Sequence, residues 1–192
     1  MIILASQSEA RRRLLTHAGI SFTAQSPVFD EDSLKSSNGD ATTLARDLAA
    51  AKSLSLNATN RDYFIIGADQ TLCCDDVLLN KPENPEAAYI QLQQLRGKRH
   101  TLVSAVCVSK NNQVLFQHCS TAILTMRNFS DTFLKNYLVA AGPAILHCVG
   151  SYQIEGRGIN LFSHIDGDIF TVQGLPLLPL IAFLREVGEL PT

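Results

Sequence analysis

The chain has 192 residues, 46% of them apolar, and a formal net charge of −2. That length suits one well-filled core with room for two lobes, so a single domain over residues 1–192 is expected. A slightly acidic chain lacks the basic face that duplex nucleic acid demands, no apolar run nears the roughly 18 residues of a membrane span, and Met1 leads straight into a strand pattern. The expectation is a cytoplasmic protein with neither nucleic acid nor membrane as partner.

Ile2, Ile3, Leu4 and Ala5 form the short apolar run of a strand buried on both faces, and Ser8 suits the N-cap of a helix that continues to Ala18 and stops at Gly19. Glu9 fits the first turn of that helix. Arg11, Arg12 and Arg13 do not, because cations beside the partial positive charge of a helix start cost about 0.3–1 kcal/mol each. Either an anion such as phosphate offsets them, or they are solvated on the outer face. Ser21 to Asn38 is polar and irregular, and within it Val28 and Phe29, read as loop anchors, precede the carboxylates Asp30, Glu31 and Asp32. Adjacent carboxylates repel, so the cluster is either fully solvated or neutralised by a divalent cation. Thr43 to Leu56 is a predicted helix with Leu44, Leu48 and Ala51 on its inner face and Lys52 beside that face. Lys52 is either a surface lysine lying along the apolar stripe or close to a ligand among small neighbours.

Tyr63 to Ala68 reads as a second buried strand and delivers Asp69, Gln70 and Thr71 at its C-terminal end, where open α/β sheets bind ligands. A carboxylate there either caps a turn or works in a site, since burying it without a partner is expensive. Val77 to Leu79 is a short strand, and Asn80-Lys81-Pro82 presents another cation. Pro85 to Leu95 is a helix capped by Asn84, with Ala88, Leu92 and Leu95 inward and Gly97 beyond its end. His100–Ser109 and Gln113–Met126 alternate as a long hairpin around Lys110-Asn111-Asn112. Ser130 caps a helix whose stripe is Phe133, Leu134, Tyr137 and Leu138, stopped by Gly142-Pro143. Gly150 to Gly158 packs glycines around Glu155 and Arg157 without any Walker or G-x-G-x-x-G pattern. Asp168 to Val172 reads as a strand, Gly174-Leu175-Pro176 as a turn and Leu177 to Val187 as a closing helix. Cys73, Cys74, Cys107, Cys119 and Cys148 lack metal-site spacing and read as reduced core residues.

Scattered cations (Arg11, Arg12, Lys52, Lys81) and acids (Asp30, Glu31, Asp69) at loop or element ends are together what a polyphosphate site with a divalent metal requires. The order Leu4-Ala5-Ser6-Gln7-Ser8 then Arg11, Phe29-Asp30-Glu31, Ala51-Lys52, Ile66-Gly67-Ala68-Asp69, Asn80-Lys81-Pro82, Gly97-Lys98-Arg99-His100, Gly150-Ser151-Tyr152 with Glu155-Gly156, and Gly174-Leu175-Pro176-Leu177 resembles the Maf family of nucleoside triphosphate pyrophosphatases. The resemblance spans essentially the whole chain. It implies an α/β fold with a mixed, elongated central sheet, helices on both faces and two lobes around a cleft, related to inosine triphosphatase-like enzymes. The implied reaction hydrolyses a nucleoside triphosphate between its α- and β-phosphates. By matching position, the resemblance makes Asp69 the general base and Glu31 with Asp69 the ligands of Mg²⁺ or Mn²⁺. It makes Ser8, Arg11, Lys52 and Lys81 phosphate-binding residues, and it suggests a homodimer.

Departures from the family pattern bear on substrate. Where the family usually has Ser-Pro-Arg-Arg this chain has Ser8-Glu9-Ala10-Arg11, so Ala10 replaces a residue that tunes base recognition, and phosphate contact is open to a shift toward Arg12. The specificity positions are Gln70 and Glu155, as in the branch resembling 7-methyl-GTP pyrophosphatases, whereas the dTTP- and UTP-preferring branch usually has Thr and Gln. A carboxylate at Glu155 suits the N1–H and N2–H₂ edge of guanine or a cationic methylated base. Two other classes compete with this reading. One is a nucleotide-binding regulator of cell division without significant turnover, and the other is a thiol enzyme acting through Cys73 or Cys74.

Overall fold

A computed structural model describes residues 1–29, 31, 34 and 40–191; Asp30 and Asp32 of the acidic cluster lie outside the described residues. The elements run β1 (Ile2–Ala5), α1 (Glu9–His17), β2 (Thr23–Gln25), α2 (Ala41–Leu54), β3 (Phe64–Cys74), β4 (Val77–Leu79), α3 (Pro85–Leu95), β5 (Arg99–Lys110), β6 (Gln113–Met126) and α4 (Asp131–Ala141). Two 3₁₀ segments (Gly142–His147 and Arg157–Leu161), β7 (Phe162–Asp166), α5 (Ile169–Val172) and α6 (Leu177–Glu186) follow. Among the described residues the strands hydrogen-bond in the order β2-β1-β3-β5-β6-β7, with β4 on β3. Because β1 is parallel to β2 and β3 while β3–β4 and β6–β7 are antiparallel, the sheet is mixed and the fold is α/β, as expected.

The chain divides into two compact units that alternate along the sequence. The first comprises Met1–Gln70, Val103–Ser120 and Gly174–Thr192, and the second Thr71–Leu102 and Thr121–Gln173. In the first, Ile3, Ala5, Leu56 and Ile65 form one apolar cluster, and Ala45, Ala49, Val103, Ala105 and Cys107 another. The small residues of the second cluster matter, because they let α2 lie close to the sheet. Gly67 is where this is tightest: a Cβ there would stand 2.1 Å from the Ala49 carbonyl oxygen and 2.5 Å from the Ser53 nitrogen, both in the α2 backbone. The core of the second unit is one cluster that includes the aliphatics Leu92, Leu95, Leu102, Leu124, Leu134 and Leu161.

Helix starts follow the polar caps closely. Ser8, Asn84 and Ser130 each accept a hydrogen bond from a backbone N–H of the first turn, of Arg11, Ala87 and Phe133 respectively. Asn111 and Asn112 take positive φ at the β5–β6 turn, as a two-residue hairpin requires. Elsewhere the sequence patterns mislead. Thr23–Gln25 lies within the segment read as irregular yet pairs in parallel with β1; an edge strand with exposed side chains carries no apolar run to reveal it. The strand expected at Asp168–Val172 is instead β7 at Phe162–Asp166. Asp168 accepts from the Thr171 N–H at 3.1 Å and caps the short α5, and such a cap favours helix over strand. On α2 the buried residues are Ala45, Leu48, Ala49, Lys52 and Ser53, while Leu44 and Ala51 are only half-buried; the small side chains win the inner face because the sheet approaches so closely. Phe133 and Leu138 on α4 are also only partly buried. Val28, expected to anchor its loop, is 76% exposed.

One buried polar group in the second unit has a consequence for stability. His100 on β5 is 2% exposed, its Nε2 lies 2.7 Å from the Tyr152 hydroxyl, and its Nδ1 has no hydrogen-bond partner among the described residues. Burial between the Tyr152 and Phe162 rings lowers its pKa from the ordinary 6.5 to about 4. An unfolded chain therefore takes up a proton near pH 6.5 and the folded chain only near pH 4, so between these values protons favour unfolding. The stability this neutral histidine preserves is whole above pH 6.5 and falls as pH drops through that window, by about 3 kcal/mol in all. Urea denaturation at pH 7 and pH 4.5 should show a smaller acid loss in His100→Gln, which cannot titrate. Equal losses in the two proteins would remove His100 from the account.

Candidate functional site

In the first unit, β1 runs parallel to β3 with Ala5 opposite Gly67, so the chain leaving β1 at Ser6 emerges beside Ala68 and Asp69. Ser6 and Ser8 then organise the start of α1. The Ser8 N–H donates to Ser6 Oγ at 3.1 Å, and Ser8 Oγ accepts from the Arg11 N–H at 3.4 Å. The Arg11 side chain turns back over this loop. Its Nε donates to the Gly174 carbonyl at 2.8 Å and its Nη1 to Ser6 Oγ at 3.4 Å. Burial works against its charge, and the neighbouring carboxylates of Asp69 and Glu31 work for it. A guanidinium stays protonated in such a place, so Arg11 is a fixed cation held next to two acids. Arg12 is half-buried, with an Nε that no described residue accepts from, and Arg13 is exposed. Of the three arginines, Arg13 alone is exposed.

Asp69 and Gln70 do not end their strand as expected; β3 continues to Cys74, paired by β4, and both residues sit inside it. Lys52, in the last turn of α2, is 8% exposed and reaches across to the acids. Its Nζ donates to Glu31 Oε1 at 2.9 Å and also to Asp69 Oδ1. The side chain of Asp69 is 14% exposed and that of Glu31 40%. Lys52 is thus no surface lysine: its ammonium lies where two carboxylates converge, at the spot fixed by the close approach of α2 to Gly67. Gln70 Nε2 donates to Ser104 Oγ on β5 at 2.9 Å. Gly174, with φ of +92°, fits beside both side chains, since a Cβ there would stand 3.5 Å from Arg11 Nη2 and 3.7 Å from Gln70 Cδ.

The structure thus brings Ser8, Arg11, Glu31, Lys52, Asp69 and Gln70 together within the first unit, with Ala10 and Arg12 half-buried on α1 beside them in sequence. Lys81 and Glu155 belong to the second unit, and both are exposed. There, Gln91 ties two segments together: its Nε2 donates to the Asn80 carbonyl at 2.8 Å, and its Oε1 accepts from Ser151 Oγ at 2.7 Å. The loop carrying Lys81 and the glycine-rich segment leading to Glu155 are thereby held by one buried amide. Gly158 closes that segment on itself, for a Cβ there would stand 2.4 Å from the Gln153 carbonyl oxygen.

Sequence reading missed Ser104, a fully buried serine in an apolar strand that no motif marks, and the role of the Gly174 carbonyl. Cysteine chemistry gains no support. All five cysteines are free, and burial pushes the Cys74, Cys107 and Cys119 thiols up, away from the thiolate a nucleophile needs. No helix among the described residues is long and apolar enough to cross a membrane.

Residues 1–187 match the family described as Maf-like protein. A nucleoside triphosphate pyrophosphatase of Rhodospirillum rubrum is 45% identical over 98% of this chain and 96% of its own length. A 7-methyl-GTP pyrophosphatase of Brucella abortus is 43% identical over 96% of this chain and 94% of its own. Among solved structures, a nucleoside-triphosphatase (dITP/XTP pyrophosphatase) of Mycobacterium abscessus aligns over 99% of this chain and 97% of its own, with a TM-score of 0.44 and 12% identity. The match over nearly every residue, at this level of identity to whole-length relatives, makes the chain a member of the Maf family.

Proposed function

We infer that this protein hydrolyses a nucleoside triphosphate between the α- and β-phosphates, releasing the monophosphate and pyrophosphate, and that its preferred base is a guanine of the 7-methyl-GTP type. The observation that carries the reading is the half-buried Asp69 carboxylate held beside two cations, Arg11 and Lys52, in a chain whose near relatives are nucleotide pyrophosphatases. Arg11 and Lys52 offset phosphate charge, and the N–H groups at the start of α1 add their partial positive charge. In this reading Asp69 takes the proton of the attacking water, without a thiol or hydroxyl nucleophile.

A divalent metal fits this chain's donors. Glu31 and Asp69 converge closely enough to share one ammonium, and they offer only hard oxygen ligands, with no His or Cys among them. Mg²⁺ is commonly bound by one or two carboxylates and completed by substrate phosphates, and Glu31 and Asp69 are the pair we propose. When bound, Mg²⁺ or Mn²⁺ would supply charge neutralisation on the phosphoryl oxygens.

Base preference rests on Gln70 and Glu155 together with the 7-methyl-GTP pyrophosphatases among the relatives. Pyrophosphate release should be measured with Mg²⁺ and Mn²⁺ across dTTP, UTP, GTP and 7-methyl-GTP, with 7-methyl-GTP expected to turn over fastest. UTP ahead of 7-methyl-GTP would overturn the base assignment, and no release from any nucleotide would leave a nucleotide-binding protein without turnover.

A further inference from the structure

Two cations and two carboxylates meet at the candidate site, and one of the cations stands in an unusual place. The Lys52 ammonium donates to Glu31 Oε1 and Asp69 Oδ1 simultaneously, from a residue that is 8% exposed, so it lies at the point on which both carboxylates converge. A metal held by the same two carboxylates competes with the ammonium for their negative charge and for the place where they converge. It would also face the positive charge of an ammonium that has hydrogens to donate and nothing with which to ligate.

Lys52 and a divalent cation are therefore rivals for Glu31 and Asp69. We propose that Lys52 is a built-in competitor of the metal, closing the carboxylate pair until a nucleotide arrives to take the ammonium on its phosphates. The tether makes it an effective competitor. Lys52 sits in the last turn of α2, whose backbone is locked against Gly67, so the ammonium is always at hand, whereas free Mg²⁺ must first give up water. A nucleotide reverses the balance in two ways at once, because its phosphates offer Lys52 new acceptors and supply the oxygen ligands that the two-carboxylate site lacks. Metal and nucleotide then enter together, each raising the other's affinity. The protein alone does not load stray divalent ions onto Asp69, and the carboxylate is freed for its role only with substrate present. In this exchange only the Lys52 side chain needs to turn.

The proposal rests on the pyrophosphatase reading and is tested apart from it, by direct Mn²⁺ binding. The free-ion electron paramagnetic resonance signal of Mn²⁺ is titrated with nucleotide-free protein, wild type beside Lys52→Met and Lys52→Gln, with circular dichroism to verify folding. Wild type should leave the signal undiminished up to about 1 mM Mn²⁺, whereas the variants should bind on the order of tenfold or more tightly. Equal Mn²⁺ binding by wild type and folded variants overturns the proposal. If neither variant folds, wild type decides alone: saturable Mn²⁺ binding below about 1 mM without nucleotide overturns it, and absence of binding supports it. Failure of the pyrophosphatase reading shows itself separately, as no pyrophosphate release by wild type with Mn²⁺ from any nucleotide.

Discussion

Asp69→Asn should lower the rate of pyrophosphate release by about 10²–10⁴-fold while leaving the fold and metal-free nucleotide binding nearly unchanged. Asparagine preserves the shape of the side chain and keeps an oxygen to accept from Lys52, so the packing of α2 on β3 survives. What it removes is the ability to take a proton and one of two negative charges beside Arg11 and Lys52. The signature is thus a split, with turnover lost and affinity for the intact triphosphate, measured without divalent metal, retained or raised, because a repulsive charge near the phosphates has gone. Steady-state pyrophosphate release with calorimetric binding of a non-hydrolysable α,β-methylene analogue distinguishes this from simple misfolding. Wild-type turnover in the variant would strip Asp69 of its role as the base.

Gly67→Ala should be the most damaging single methyl group in the first unit. Overpacking usually costs about 1–3 kcal/mol, with rotamer changes absorbing part of the strain. Here the added Cβ meets backbone atoms, the Ala49 carbonyl oxygen and the Ser53 nitrogen, which cannot rotate aside, so about 3 kcal/mol is expected. For a chain of this length that corresponds to a melting temperature lower by about 6–12 °C. The same displacement would move Lys52 relative to Asp69, since their meeting depends on how closely α2 approaches β3, and turnover should fall with stability. Gly156→Ala serves as the comparison, because a Cβ there meets nothing nearer than the Gln153 carbonyl oxygen at 3.8 Å. Thermal unfolding of the three proteins checks the expectation, and matching melting temperatures for Gly67→Ala and wild type would refute it.

These two residues also show what a sequence conveys and what it withholds. The run Ile2–Ala5 and the caps Ser8, Asn84 and Ser130 announce their elements, because local apolar periodicity and helix-end hydrogen bonds act over a few residues. The cations and acids of the site were visible as residue types, yet their pairing was not. That Lys52 turns inward to Glu31 and Asp69 depends on which face of α2 the sheet selects, and that choice follows from Gly67, Ala45 and Ala49 fitting together across the chain. By apolarity alone Leu44 and Ala51 had the better claim. β2 and the link from Gln70 to Ser104 stayed hidden for the same reason: an exposed edge strand and a lone buried serine acquire meaning only from a neighbour distant in sequence.

The hold of the Gly174 carbonyl on Arg11 sets a timetable for the ribosome. Ser8, Arg11, Lys52, Asp69 and Gln70 are all polymerised within the first stretch of synthesis, but the carbonyl that orients the guanidinium follows roughly one hundred residues after Gln70, about 5–20 s later at ordinary elongation rates. During that interval the emerging polypeptide carries Arg11 without the carbonyl that holds its guanidinium in place. The placement of Arg11 is therefore completed late, when Gly174 and the turn into α6 have been made and meet the start of α1.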